Sequence, residues 1–287
     1  MSTLTDAFVL GLFGAAPLVL AAVGFTLIYY LSGFVNVAYA ENVTMGAYLA
    51  VIFNVNLGWD FYLTIVPSAI LSGLLSVATF VLVFRPAMRR GVGPTEMIIL
   101  SVGMSFFIRY AARLLFGIKL YLFDTGQPGF FNIFGIGITS YQLTALALAA
   151  VTVAGLYLFI FRTGYGEQMR ALAGNRDLAK ASGINPNRVS LLIWFLAGVA
   201  GGLAGIFYGV FSFVNSDIGW SLILIIIMIS ILGRVGSVRG ALVVGVGAGI
   251  VVAFVTQVTQ SLYAQVVLLV LFILVLKVTR TSAAMRG

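Results

Sequence analysis

Few residues in this chain could do chemistry, and those that could sit in apolar surroundings. Glu41 is one, with Asn36, Tyr39, Asn42 and Thr44 close by in sequence. A carboxylate inside a bilayer is costly and faces either a cavity or a partner. Glu41 therefore either lines a substrate path or forms a buried pair or helix-end contact. Arg109 and Arg113 form a second set, and their i, i+4 spacing puts both on one helix face. At about 1.5 Å per residue, Arg109 lies about 21 Å along a helix counted from Thr95. The two arginines read as a cationic site for a carboxylate-bearing substrate, as side chains snorkelling to headgroups, or as partners of Asp124. A third feature is the polar segment Gly164–Val189, GYGEQMRALAGNRDLAKASGINPNRV, the longest polar stretch in the chain.

Several chemistries are excluded. The 287 residues hold no cysteine and no histidine. Disulfides, thiolate or imidazole metal sites and Ser-His or Cys-His nucleophile pairs are therefore ruled out. No G-x-x-x-x-G-K-[S/T] loop occurs, so the chain does not itself hydrolyse ATP by that device. Glu96, just after Pro94 and Thr95, reads as a first-turn residue complementing the helix dipole.

The elements that position these residues are membrane helices. Hydrophobic residues make up 61% of the chain, charged residues 8%, and mean hydropathy is +1.13. Soluble domains carry about 25% charged residues. Apolar runs of the length that spans a bilayer, about 20 residues, fall at roughly 8–30, 34–56, 61–84, 95–117, 139–161, 190–213, 219–232, 238–258 and 262–278. The expected fold is an all-α, polytopic transmembrane bundle forming a single domain over 1–287. It has nine spans, or eight if the polar second run or the short seventh is re-entrant. Ala38-Tyr39-Ala40 has the form of a signal cleavage site. The uncharged start and overlong apolar run argue for a retained helix instead.

The net charge of +8 is a topology signal. Basic residues gather at Arg85/Arg89/Arg90, Arg162 to Arg188, Arg234/Arg239 and Lys277/Arg280/Arg286, while Asp6, Asp60, Asp124 and Asp217 fall in the alternate gaps. The positive-inside rule then puts the N-terminus outside and the C-terminus inside. Glycines at 198, 201, 202 and 205, and at 240, 245, 247 and 249, suit close helix packing or a sliding surface. Ser32–Asn36 and Phe211–Asn215 echo each other as an inverted repeat would. Within the polar segment, Glu167–Ser182 reads as one short amphipathic helix ended by a C-cap at Gly183. It either lies on lipid or inserts into a groove on a partner.

Four stretches in order carry a family resemblance. They are Gly33-Phe34-Val35-Asn36-Val37-Ala38 with Glu41 and Met45-Gly46-Ala47-Tyr48; Arg85-Pro86 with Ser101-Val102-Gly103-Met104-Ser105; Gly166 to Val189 with Arg170-Ala171, Ala179 and Gly183-Ile184-Asn185; and Leu232-Gly233-Arg234-Val235-Gly236-Ser237-Val238-Arg239-Gly240-Ala241. Together they resemble the permeases of branched-chain amino acid ABC importers. The chain departs from the family pattern at Tyr39-Ala40, where His-Gly is usual, at Arg234, where the late turn has glycine, at Arg239, and at Arg109, where a neutral polar residue is expected.

The resemblance implies a bacterial inner-membrane permease that binds no cofactor. Its partners would be a second, related permease, two ATPase subunits carrying ATP and Mg, and a periplasmic binding protein. It implies a substrate pathway drawn from Asn36, Tyr39, Glu41, Asn42, Thr44, Ser105 and Arg109. It also implies an ATPase-coupling loop over about 163–189, through Glu167, Met169, Arg170, Leu172, Ala173, Asn175, Ala179 and Gly183. Cargo would be branched-chain or neutral amino acids, with acidic ones admitted if Arg109 faces the path. The alternatives are the same machinery carrying urea or short amides, an ion-coupled secondary carrier using Glu41, or an assembly subunit with no path.

Overall fold

The computed structural model describes residues 2–127, 129–133, 136–258 and 261–284, so Arg286 lies outside it. The chain is a helical bundle centred on α1 (Ser2–Ser32) and α9 (Pro186–Phe211), which pack on each other. Against them lie α2 (Tyr39–Val51), which continues as a π-helical turn over Ile52–Asn56, and α3 (Phe61–Thr79), with a second π turn at Phe80–Phe84 leading into α4 (Arg85–Arg89). Around this centre stand α5 (Pro94–Phe116), α6 (Ser140–Arg162), α10 (Ile218–Leu232), α11 (Val238–Val258) and α12 (Ser261–Ala284). The polar segment forms α7 (Gly164–Gly174) and α8 (Arg176–Ala181).

Among the described residues, six helices are long and apolar enough to cross a membrane: Asp6–Ser32, Phe61–Arg89, Pro94–Phe116, Ser140–Arg162, Pro186–Phe211 and Val238–Val258. That is fewer than the nine apolar runs in the sequence. Run length does not register interruptions. α1 ends just before Gly33, whose φ is +75°, and the second run is helical only from Tyr39. α10 has 15 residues, about 22 Å against a hydrocarbon core of about 30 Å. A small hairpin also departs from an all-helical reading. β1 (Phe130–Ile133) pairs antiparallel with β2 (Ile136–Thr139), and a Thr139–Gln142 capping box then starts α6.

Charge separates between the two ends of the bundle. Arg85 and Arg89 share a cavity with Arg176 and Lys180, and Arg239 donates to the Tyr157 hydroxyl near the end of α6. At the other end Asp60 caps α3 by accepting from Tyr62 N at 2.9 Å. There too Asn54 bonds both the amide and the carbonyl of Asp124, at 2.7 and 2.9 Å. This sorting is the one that charge alternation along the sequence anticipates.

Close backbone approach holds the centre together. A Cβ on Gly205 would overlap the Val43 carbonyl, and one on Gly219 would overlap the Ala40 carbonyl. In lipid, where apolar side chains gain nothing by leaving the tails, such approach is what ties helices together. The turn between α10 and α11 holds a less favourable residue. Arg234 has φ +64°, at the position where the resembling turns carry glycine. A left-handed residue with a Cβ costs about 1–2 kcal/mol. Arg234→Gly should therefore raise the apparent melting temperature of the detergent-purified chain by a few degrees. Light-scattering or fluorescence melts against the parent chain would check this.

Candidate functional site

Both breaks in the bundle start helices in its interior. After the 33–38 break α2 begins at Tyr39, and after the 212–217 break α10 begins at Ile218. The two starts meet. Gly219 N donates to Thr44 Oγ1 at 3.0 Å, and Gly219 packs on the Ala40 carbonyl. These are the segments whose sequence echo, Ser32–Asn36 and Phe211–Asn215, suggests a repeat.

α5 ties the two starts together with a stripe at i, i+4 spacing. Ser101 Oγ accepts from Val37 N at 3.0 Å, about 10 Å along α5 from Pro94. Ser105 Oγ donates to Glu41 Oε1 at 2.8 Å. Arg109 Nη2 donates to the same oxygen at 2.9 Å. Arg113 grips both carboxylate oxygens of Asp217 at 2.8 Å and donates from Nε to Ser216 Oγ at 2.9 Å. The lower part of the stripe thus holds the start of α2, and the upper part holds the start of α10.

Glu41 and Arg109 are a buried pair, their side chains 0% and 6% exposed. The guanidinium lies over the Trp220 ring, 4.1 Å from its centroid, and 5.5 Å from that of Phe106. Stacking over an aromatic face further stabilises the cation in a dry site. Arg109 therefore does not snorkel to headgroups, and its charge is matched by the chain's own carboxylate. Arg113 pairs with Asp217, not with Asp124. Loop residues 212–217 bring Asp217 to the end of α5, a proximity that sequence distance hides.

The remaining expected pathway residues are also buried. Tyr39 Oη donates to Ala197 O at 3.1 Å, and Thr44 donates to Ala40 O at 3.4 Å. Asn36 and Asn42 are both almost fully covered. Open clefts lie elsewhere. One of about 420 Å³ runs past Pro17, Tyr208, Leu222 and Thr256, and one of about 360 Å³ past Met228, Val244 and Phe272; neither touches Glu41 or Arg109. Sequence reasoning missed Trp220 and Asp217 as partners of the arginines. Ser101 lay in a quoted motif, and its spacing to Ser105, Arg109 and Arg113 was the available signal.

The polar segment is two helices, not the single one expected over 167–182. Asn175 breaks it with φ −150°, and its Oδ1 caps α8 by accepting from Asp177 N and Leu178 N at 3.1 and 3.0 Å. Asparagine favours such a cap over continued helix. Gly183, φ +84°, follows as the residue that ends α8. Met169, Leu172 and Ala179 are buried against Ile160, Val189 and Val238. Arg170 donates to the Ile160 carbonyl and lies over Phe161, while Ala173 is partly buried. These residues anchor the segment to the bundle. Glu167, Asn175, Arg176 and Gly183 face outward. So does Leu178, 65% exposed, which sequence reasoning did not single out.

Comparison with known proteins gives consistent matches. The model of the branched-chain amino acid transport system permease component matches residues 7–276. The high-affinity branched-chain amino acid transport system permease protein BraD of Pseudomonas aeruginosa is 30% identical over 283 residues, covering 93% of this chain and 91% of that protein. The corresponding LivH of Escherichia coli K12 is 28% identical, covering 92% and 89%. A chain in the solved structure of PsaBC from Streptococcus pneumoniae in complex with Fab has the same fold, with a TM-score of 0.53 at 14% identity, covering 96% and 91%.

Removing one member of a buried ion pair costs about 3–5 kcal/mol, because the other is left charged and unpaired. Glu41→Gln and Arg109→Gln should each lower the apparent melting temperature and the detergent-extracted yield. The double variant should recover most of the loss, since it removes both charges together. Thermal melts of the three variants check this.

Proposed function

The chain belongs to the permease-component family of branched-chain amino acid transport systems, and from that membership we propose how it works. It is a transport subunit and not an enzyme: a multi-pass membrane permease of an ATP-driven amino acid importer. The observation that carries this reading is the family match over residues 7–276. It covers the broken-helix core and the coupling segment alike.

The partners are a second permease, two ATPase subunits that bind ATP and Mg, and an outer binding protein. The setting is a bacterial inner membrane. The N-terminus lies outside and the C-terminus inside, in keeping with basic loops gathered at one end of the bundle. The six long helices, with α2 and its π turn, α10 and α12, make up nine membrane segments. α2 and α10 start within the bundle, as broken helices do at transporter midplanes.

The substrate path runs beside these starts, past Asn36, Tyr39, Glu41, Asn42, Thr44, Ser105 and Arg109. All seven are covered in this conformation, so the path opens by movement of α5 and α10. These helices carry half-exposed Phe106 and Trp220 on their outer faces. The second permease completes the path against those faces. Neutral cargo, branched-chain amino acids above all, fits better than acidic cargo, because Glu41 already matches Arg109.

Coupling runs through 163–189. Met169, Leu172 and Ala179 transmit movement into α1, α6 and α9, while Glu167, Asn175 and Leu178 face the ATPase. A tagged chain extracted gently from its native membrane should bring down two ATPase subunits and a second permease; a chain that purifies alone would contradict the reading. Leu178→Asp should leave the chain folded but abolish ATPase retention in the same pull-down. Gly183→Pro, which forces a negative φ where +84° is needed, should leave ATP hydrolysis intact and cut ATP-driven uptake at least tenfold. Paired hydrolysis and uptake assays would read this split.

A further inference from the structure

At the basic end of the bundle, cations from two loops far apart in sequence converge on one cavity. Arg85 and Arg89 come from α4, and Arg176 and Lys180 from α8. Phe80, Met88, Pro186 and Asn187 complete the lining, and the cavity holds about 440 Å³. A second cavity, of about 270 Å³, shares Arg85 and Arg89 and adds Arg90, with Val81 beside it. Among the described residues, no acidic side chain lines either cavity. The carboxylate at hand, Asp177, is bonded to Lys180 at 3.1 Å. Arg85 Nε is buried without an acceptor among the described residues. Five cations against one nearby carboxylate leave an excess of positive charge that a bound anion would offset.

What lies beside the cavities selects the anion. The helical segment that runs through α3 and its π turn into α4 presents Leu71, Leu74 and Leu82 outward, and Leu82, one turn before Arg85, is 74% exposed. The cations therefore stand where an outward apolar face ends. A soluble anion would use only the charges. A phospholipid would use both, its phosphodiester among the cations and its acyl chains along the leucines. Basic pockets at the membrane boundary between helices favour anionic headgroups in this way. We propose that this cleft between α4 and α8 is a binding site for an anionic phospholipid, with Arg85, Arg89, Arg176 and Lys180 holding the phosphodiester. The site is independent of the permease reading and needs only the bundle.

Native mass spectrometry of the purified full chain tests it, with phosphatidylglycerol and phosphatidylcholine of matched acyl chains as probes. Each cation near an anionic surface is worth about 1 kcal/mol, or about fivefold. The chain should retain phosphatidylglycerol at least tenfold over phosphatidylcholine. Arg85→Gln with Arg176→Gln should cut that preference by about twenty-five fold or to none, while Arg188→Gln, exposed and outside both cavities, should leave it unchanged. Should the double variant not purify, Arg176→Gln alone, on an exposed side chain, should show about a fivefold drop. Equal retention of the two lipids, or an undiminished preference in the variants, overturns the proposal. Displacement of the lipid by millimolar inorganic phosphate also overturns it, assigning the cleft to a soluble anion.

Discussion

The structure depends on a charge pair in a place where charge is expensive. Glu41 and Arg109 meet at 2.9 Å with almost no exposure. Each alone would cost several kcal/mol in such a medium. Together, with Ser105 on the carboxylate and Trp220 under the guanidinium, they bind α5 to a helix that starts in the middle of the bundle. A helix start leaves several amides unpaired, and a carboxylate in the first turn also complements the dipole. Glu41 serves that end as well as the pair.

From this point the rest of the architecture follows. α5 has a largely outward surface, so polar contacts rather than apolar burial fix its position. Ser101 and Ser105 fix it against α2, and Arg113 against α10 through Asp217. Glycines let the two broken-helix starts come into backbone contact at Gly219. A bundle joined by a few directional bonds between rigid helices has discrete arrangements available to it. Alternating access by rigid-body movement requires that property.

Much of this was legible in the sequence, for identifiable reasons. Membrane class followed from composition, and the two ends of the bundle followed from the alternation of Arg and Asp between apolar runs. Glu41 and Arg109 stood out because charge within such runs is rare. Their pairing was not legible, since nothing in linear order brings residue 41 to residue 109. Trp220 looked like one more aromatic at a helix end. The break at Asn175 was hidden because its flanks, Met169–Leu172 and Leu178–Ala179, keep one helical apolar period across it; only the capping chemistry of asparagine marked it. Among the described residues six helices are long and apolar enough to cross a membrane; apolar length alone does not show that the second run is helical only from Tyr39 or that α10 has 15 residues.

The chain is a transport permease of the branched-chain amino acid family, and the drive proposed for it comes from partner ATPases. Uptake into proteoliposomes holding the purified complex, with ATP inside and no ion gradient, probes that drive. Saturable leucine or valine uptake that needs ATP and the binding protein, and that excess glutamate does not inhibit, is the expected result. Uptake driven by a proton or sodium gradient without ATP would contradict it.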